Sequence, residues 1–226
     1  MIDANVYARM WQLRGLIAAR PGDPQLFSTL YDVAVNDSAP VVRDLALRLL
    51  WQYYLDSQRQ QVTDLFFNCA VLDADAGVRA LAVRRLGREN SNESRTATLL
   101  WDRALNDPSA DVRFEAVRTW VCFCRHYTRT LELLLNRARF DSDAGVRRMA
   151  VEGLRDHLSH PPVVELLLDL AVEDTAVMVR RVAVQALEAC ADERVVGVLR
   201  TCARHDPDSE VRAIAWDALR SKGVLR

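Results

Sequence analysis

The sequence predicts an all-α protein, a right-handed α-solenoid of about six two-helix repeats behind an N-terminal capping helix. Three observations carry that expectation. One short motif recurs six times at nearly constant spacing, its apolar positions follow the period of an α-helix, and the polar or proline-bearing breaks fall between recurrences.

The motif is an aspartate, five residues of which the last is valine, then an arginine. It joins Asp37 with Arg43, Asp73 with Arg79, Asp107 with Arg113, Asp141 with Arg147, Asp174 with Arg180 and Asp206 with Arg212, the arginines lying 36, 34, 34, 33 and 32 positions apart. The valines are Val42, Val78, Val112, Val146, Val179 and Val211, and an alanine follows each arginine by three (Ala46, Ala82, Ala116, Ala150, Ala183, Ala215). Seven residues after the arginine comes Leu50, Leu86, Trp120, Leu154, Leu187 or Leu219. These offsets trace one stripe of a helix, here called B.

Upstream of each aspartate the same spacing marks a second helix, A. Its stripe holds Ala34, Ala70, Ala104, Ala138, Ala171 and Ala203, and four residues earlier Leu30, Phe66, Leu100, Leu134, Leu167 and Leu199. Small side chains at these places let helices approach closely. One such hairpin cannot bury both of its faces, whereas a stack of them makes a continuous core. The recurrent aspartates and arginines are expected to pair along the stack, each Asp meeting an Arg of its own or the adjacent unit, as a structural ladder.

In chain order, residues 5–20 form a helix outside the pattern, with Val6, Met10, Leu13 and Ile17 along one side and Pro21-Gly22 as its stop. It caps the first unit. The repeats then occupy about 25–57, 58–90, 94–126, 129–158, 161–190 and 193–221, so that 1–226 reads as a single repeat domain. Acidic residues in the links from A to B, as in Asp107-Pro108-Ser109-Ala110-Asp111, lie where they cap helix B and oppose its dipole. Between the second and third units Asn92 or Ser94 is placed to cap the next helix A. Pro161 and Pro162 begin helix A of the fifth unit, because prolines fit a first helical turn and no later one. Only Ser221 to Arg226 follow the last B helix, which leaves the surface around Ile214, Trp216 and Leu219 for a second molecule, including self-association through this C-terminal edge.

Half of the 226 residues are hydrophobic and 27% are charged, enough apolar material for such a core. Thirty basic residues against 31 acidic ones leave a formal charge of -1, which disfavours a protein dedicated to wrapping phosphate backbones. Lys222 is the only lysine, and the arginines favour planar, bidentate pairing. Cys69, Cys122, Cys124, Cys190 and Cys202 form no disulfide framework, the N-terminus lacks a signal-peptide pattern, and no run of eighteen apolar residues occurs. A cytoplasmic protein that does not enter a membrane is expected.

Cys122, Cys124 and His126 resemble a metal cluster, but residues two apart on a helix diverge, and no fourth ligand is evident. Cys69 and Cys202, four residues before a motif aspartate, read as packing residues on helix A. His157, His160 and His205 sit in no arrangement that sets up a base or nucleophile, and the glycines form no phosphate loop. No catalytic, cofactor or metal residue is therefore assigned, and any activity would have to be assembled from several units.

The spacing of Asp to Arg, with the following Ala and Leu, resembles the HEAT repeat, and more closely the short HEAT-like form of phycobilisome lyase-type proteins, over roughly residues 25–221. The resemblance implies an α-solenoid that serves mostly as a binding scaffold, with bilin lyases or their chaperones, and a HEAT-like DNA glycosylase group, as minorities. Only the structural Asp, Val, Arg, Ala and Leu positions match. No lyase or glycosylase residues carry over.

The functional signal lies on the B-helix face that the apolar stripe leaves outside, an expected inner groove. Arg84, Arg85, Arg88, Phe114, Arg118, Arg148, Arg155 and Arg181 give it a basic middle over the second to fifth units, Arg48 lies on the same face of the first, and Glu188 and Asp217 make its far end acidic. The leading reading is a non-catalytic scaffold that binds a polypeptide, with Phe114 and the flanking arginines as anchors. The alternative is a nucleic-acid binder, glycosylase-like in one form, whose arginines track phosphates and whose Trp120, Phe123 and Tyr127 stack on bases.

Overall fold

Each motif aspartate ends one helix and begins the turn to the next. In the computed structural model, which describes residues 4–124 and 127–224, Asp37, Asp73, Asp107, Asp141, Asp174 and Asp206 are all C-caps with extended backbone. Their side chains turn back and accept the N–H two residues on, at 2.8–2.9 Å, from Ala39, Asp75, Ser109, Asp143, Ala176 and Asp208. A short carboxylate does this where a longer one would overshoot, which is why aspartate recurs here.

The chain forms two compact units, Met1–Thr119 and Trp120–Arg226. In the first, α1 (Ala4–Ala19) precedes three hairpins, α2 (Pro24–Asn36) with α3 (Pro40–Tyr54), α4 (Arg59–Leu72) with α5 (Ala76–Glu89), and α6 (Ser94–Asn106) with α7 (Ala110–Phe123). The last four residues of α7 belong to the second unit. That unit continues with α8 (Thr130–Phe140) and α9 (Ala144–Leu154), a 3-10 turn at Arg155–His157, α10 (Pro161–Glu173) with α11 (Val177–Glu188), and α12 (Arg194–His205) with α13 (Ser209–Ser221). Within the first unit α3 packs on α5, and within the second α11 packs on both α9 and α13, so B helices lie beside B helices.

The five stripe positions of each unit, the two on helix A and the three on helix B, are at most 3% exposed in all six repeats. All described helices are α-helical apart from the single 3-10 turn, and the repeated helix pairs are those of an α-solenoid. Gly87 and Gly153 sit inside B helices for lack of room. A Cβ on Gly87 would run into Thr119, and one on Gly153 would lie 2.6 Å from Val121 and 2.9 Å from Leu134.

Several helix ends follow the expected chemistry, although α3 and α11 begin on Ala39 and Ala176 without a side-chain cap. Asp75, Asp143 and Asp208 cap their B helices through side-chain hydrogen bonds, and Pro40 and Pro161 occupy first turns. Neither Asn92 nor Ser94 caps α6. Its N-cap is Glu93, without a side-chain bond to the helix, because Glu93 instead accepts a hydrogen bond from Asn90 Nδ2 at 2.6 Å. In α1, Leu13 and Ile17 are buried while Val6 and Met10 are half-buried.

Candidate functional site

The recurrent charges are placed first, since they determine which arginines remain for a partner. Arg43 donates through Nε and a terminal nitrogen to Asp73 at 2.9 and 2.7 Å, and its other terminal nitrogen reaches the carbonyl of Asp37 at 2.8 Å. Arg79 holds Asp107 and the Asp73 carbonyl in the same way, Arg147 holds Asp174 and the Asp141 carbonyl, and Arg180 holds Asp206 and the Asp174 carbonyl. Each of these arginines thus clamps its own turn by a carbonyl and the adjacent unit by a carboxylate. Arg113 and Arg212 also bond their own turns, at Asp107 and Asp206. The first aspartate, Asp37, is held by Arg9 of α1, at 3.0 Å. The capping helix therefore supplies the arginine that a preceding repeat would supply, and sequence spacing did not single Arg9 out.

Hydrogen bonding to Asp73, then to Asp107, Asp174 and Asp206 in turn, raises the pKa of the ladder guanidiniums against the opposing effect of burial. A buried pair of this kind offsets desolvation only when its remaining lone pairs and protons are satisfied. Here they are, so the ladder is structural chemistry.

The B helices of the first unit carry Arg48, Arg84, Arg85, Arg88, Phe114 and Arg118. Arg48 pairs with Asp44 one turn before it at 2.6 Å, Arg118 bonds Glu115, Arg84 lies 3.8 Å from the same Glu115, and Arg88 lies 3.7 Å from Glu89. Four of the five arginines thereby share three carboxylates, and Arg85 has no ion pair among the described residues. Arg85 is half-buried, and burial first, then the charges of Arg48, Arg84 and Arg88, lowers its pKa. A small open cleft of about 210 Å³ lies among Arg48, Leu81, Arg84, Arg85 and Arg88. Phe114, four residues before Arg118 on α7, is half-buried and presents part of an apolar surface.

In the second unit Arg148 is paired with Glu152 on its own helix and Arg181 with Glu210 of the next hairpin, while Arg155 in the 3-10 turn is exposed. The acids opposite these arginines were the part the sequence reading missed. Those within a helix, Asp44 with Arg48, Glu115 with Arg118 and Glu152 with Arg148, are legible from spacings of three or four.

Three further expectations are changed or sharpened. Trp120 is only 2% exposed, its Nε1 donates to Thr130 Oγ1 at 3.0 Å and its ring lies 5.7 Å from that of Tyr127, so Trp120 is no platform for a base. Leu219 is fully buried and Ile214 half-buried, leaving Trp216, 39% exposed, as the apolar surface of the C-terminal edge. Cys124 is buried while Cys122 is exposed, which separates the two thiols; His126 lies outside the described residues. Burial pushes the Cys69 thiol up to about 12 and those of Cys124 and Cys202 up to about 11, so none is a ready thiolate. Among the described residues no group of three or more His, Cys, Asp or Glu is placed to hold a metal, and no helix is long and apolar enough to cross a membrane.

Tandem helical hairpins, with a small-residue stripe in the core and an Asp–Arg clamp in the turns, define a helical-repeat solenoid. Residues 27–119 and 131–220 match the family of HEAT repeats, and the chain belongs to that family. Among solved structures, the X-ray structure of YibA from Escherichia coli is similar at 20% identity, covering 88% of this chain and 82% of that one with a TM-score of 0.49. Comparison with curated proteins gives no match.

Proposed function

We propose that this protein is a non-catalytic scaffold that binds a polypeptide partner through the outer faces of its B helices. The observation that carries the reading is the set of first-unit B-helix arginines, four of which share three carboxylates while Arg85 has none, with the half-buried Phe114 on α7 as the candidate apolar anchor. Such a surface is held by a buried framework, so little ordering entropy is lost on binding, and Arg and aromatic side chains are the contacts that contribute most at interfaces. Arg148, Arg155 and Arg181 of the second unit belong to the same reading, and the exposed Trp216 supports a secondary one, self-association through α13. The free cysteines fit a cytoplasmic home.

The nucleic-acid alternative, with its glycosylase-like form, loses support on two counts. Trp120 is buried, and carboxylates alternate with the arginines where a phosphate track would run. The test is crosslinking in native extract with wild-type protein and with a variant carrying Phe114→Ala, Arg118→Glu and Arg148→Glu. The expected result is a specific crosslinked polypeptide that the triple variant loses; equal recovery by both proteins refutes the B-helix assignment.

A further inference from the structure

We propose that the cleft between α3 and α5, lined by Arg48, Leu81, Arg84, Arg85 and Arg88, seats an acidic segment of the polypeptide partner, with Arg85 as the residue that receives its carboxylate. This rests on the scaffold reading and names the chemistry of what the scaffold holds.

The case is one of charge and space. Arg48, Arg84 and Arg88 each lie within 4 Å of a carboxylate of the chain, whereas Arg85 has no ion-pair partner among the described residues. It is half-buried, so solvent screens it incompletely, and three like charges act on it, offset only in part by Glu89. A guanidinium stays charged at neutral pH, so the repulsion cannot be relieved by losing a proton. It is relieved by an anion from outside. A planar fork matches a carboxylate in bidentate fashion, and Leu81, 1% exposed, gives the cleft an apolar floor for the methylenes of a glutamate. At about 210 Å³ the cleft is smaller than the 300–1,000 Å³ typical of small-molecule and cofactor sites, and it suits a side chain.

A carboxylate-bearing chain also fits better than a phosphate backbone. Asp44, Glu89 and Glu115 pair with arginines of the cleft and offset part of its positive charge. A continuous row of phosphates would meet those acids, while a peptide with spaced acidic side chains can pass them.

The experiment is fluorescence anisotropy with the full chain and three labelled probes, a peptide of alternating Glu and Gly, its Gln counterpart, and a single-stranded oligonucleotide. The Glu peptide is expected to bind at ~0.05 M salt and weaken toward ~0.2 M as screening grows. The Gln peptide is expected not to bind, the oligonucleotide to bind more weakly than the Glu peptide, and Arg85→Gln to lower affinity for the Glu peptide about tenfold. Equal binding of the Glu and Gln peptides, a full-strength Arg85→Gln variant with an unchanged thermal melt, or preference for the oligonucleotide overturns the proposal. Arg85→Lys, which keeps the charge and loses the fork, is expected to bind between the two. Should Arg85→Gln melt early, Arg85→Lys carries the test, and wild-type affinity in it is the overturning result. The scaffold reading is judged separately, since crosslinks that need Phe114 and Arg148 while the Glu peptide fails to bind leave it standing and remove the acidic-segment proposal alone.

Discussion

At the scale of single residues the ladder is the most consequential feature, because Arg43, Arg79, Arg147 and Arg180 each hold a carboxylate of the adjacent unit and a carbonyl of their own turn. Burial alone would raise the Asp206 pKa, but its bonds with Arg180, and the Asp208 N–H, outweigh that and hold the carboxyl below the ordinary range. The ionised form is thus favoured by folding. Its stabilisation is fully present above the unfolded carboxylate pKa of about 3.9 and disappears as pH falls through the lower folded value. Arg180→Met leaves the Asp206 carboxylate buried without its arginine and is expected to cost about 3–5 kcal/mol at neutral pH, read by urea unfolding. Repeated at falling pH, the gap from wild type should narrow as pH drops below about 4 and through the lower folded value, where the wild-type carboxyl also protonates. A gap that stayed constant into acid would contradict the ladder's electrostatic role. The recurrence of Asp and Arg was legible in the sequence. Which Asp each Arg reaches was not, because the pairing crosses 26 to 30 residues and one guanidinium satisfies both its own turn and the next unit.

At the scale of helices, periodicity predicted the buried stripes because six copies of one pattern outweigh the irregularities of any one. Individual ends were harder. Asn92 and Ser94 look like caps in isolation, yet the local bond from Asn90 to Glu93 sets the start of α6. Gly153 was likewise silent, since a helical glycine announces low propensity and not the Val121 and Leu134 side chains pressed against it. Ala is the better helix former by about 1 kcal/mol, but overpacking costs about 1–3 kcal/mol, so Gly153→Ala is expected to destabilise on balance. Thermal unfolding checks this. A raised melting temperature would mean that helix propensity wins and that the close approach of α9 to its neighbours is soft. The B-helix arginines illustrate the same limit. Arg148 with Glu152 could be anticipated from helix spacing, whereas Arg181 with Glu210 and Arg84 with Glu115 join neighbouring hairpins and emerge only when helices are packed.

At the scale of the whole molecule, a formal charge of -1 conceals a division of labour. Ladder arginines are tied to carboxylates of the adjacent unit, while the outer B-helix arginines meet fewer acids and include Arg85, which has no ion pair among the described residues. The central claim is that these outer arginines, and not the A helices, face the partner. Arginine-specific labelling of the protein alone and in its crosslinked complex, read residue by residue by mass spectrometry, tests it most directly. Arg95 and Arg139, both 54% exposed on A helices, and the buried Arg79 and Arg180 serve as internal references. The account predicts that Arg84, Arg88, Arg118 and Arg148 lose reactivity in the complex while Arg95 and Arg139 keep it. Protection of Arg95 and Arg139, with Arg84, Arg118 and Arg148 still open to the reagent, would contradict it.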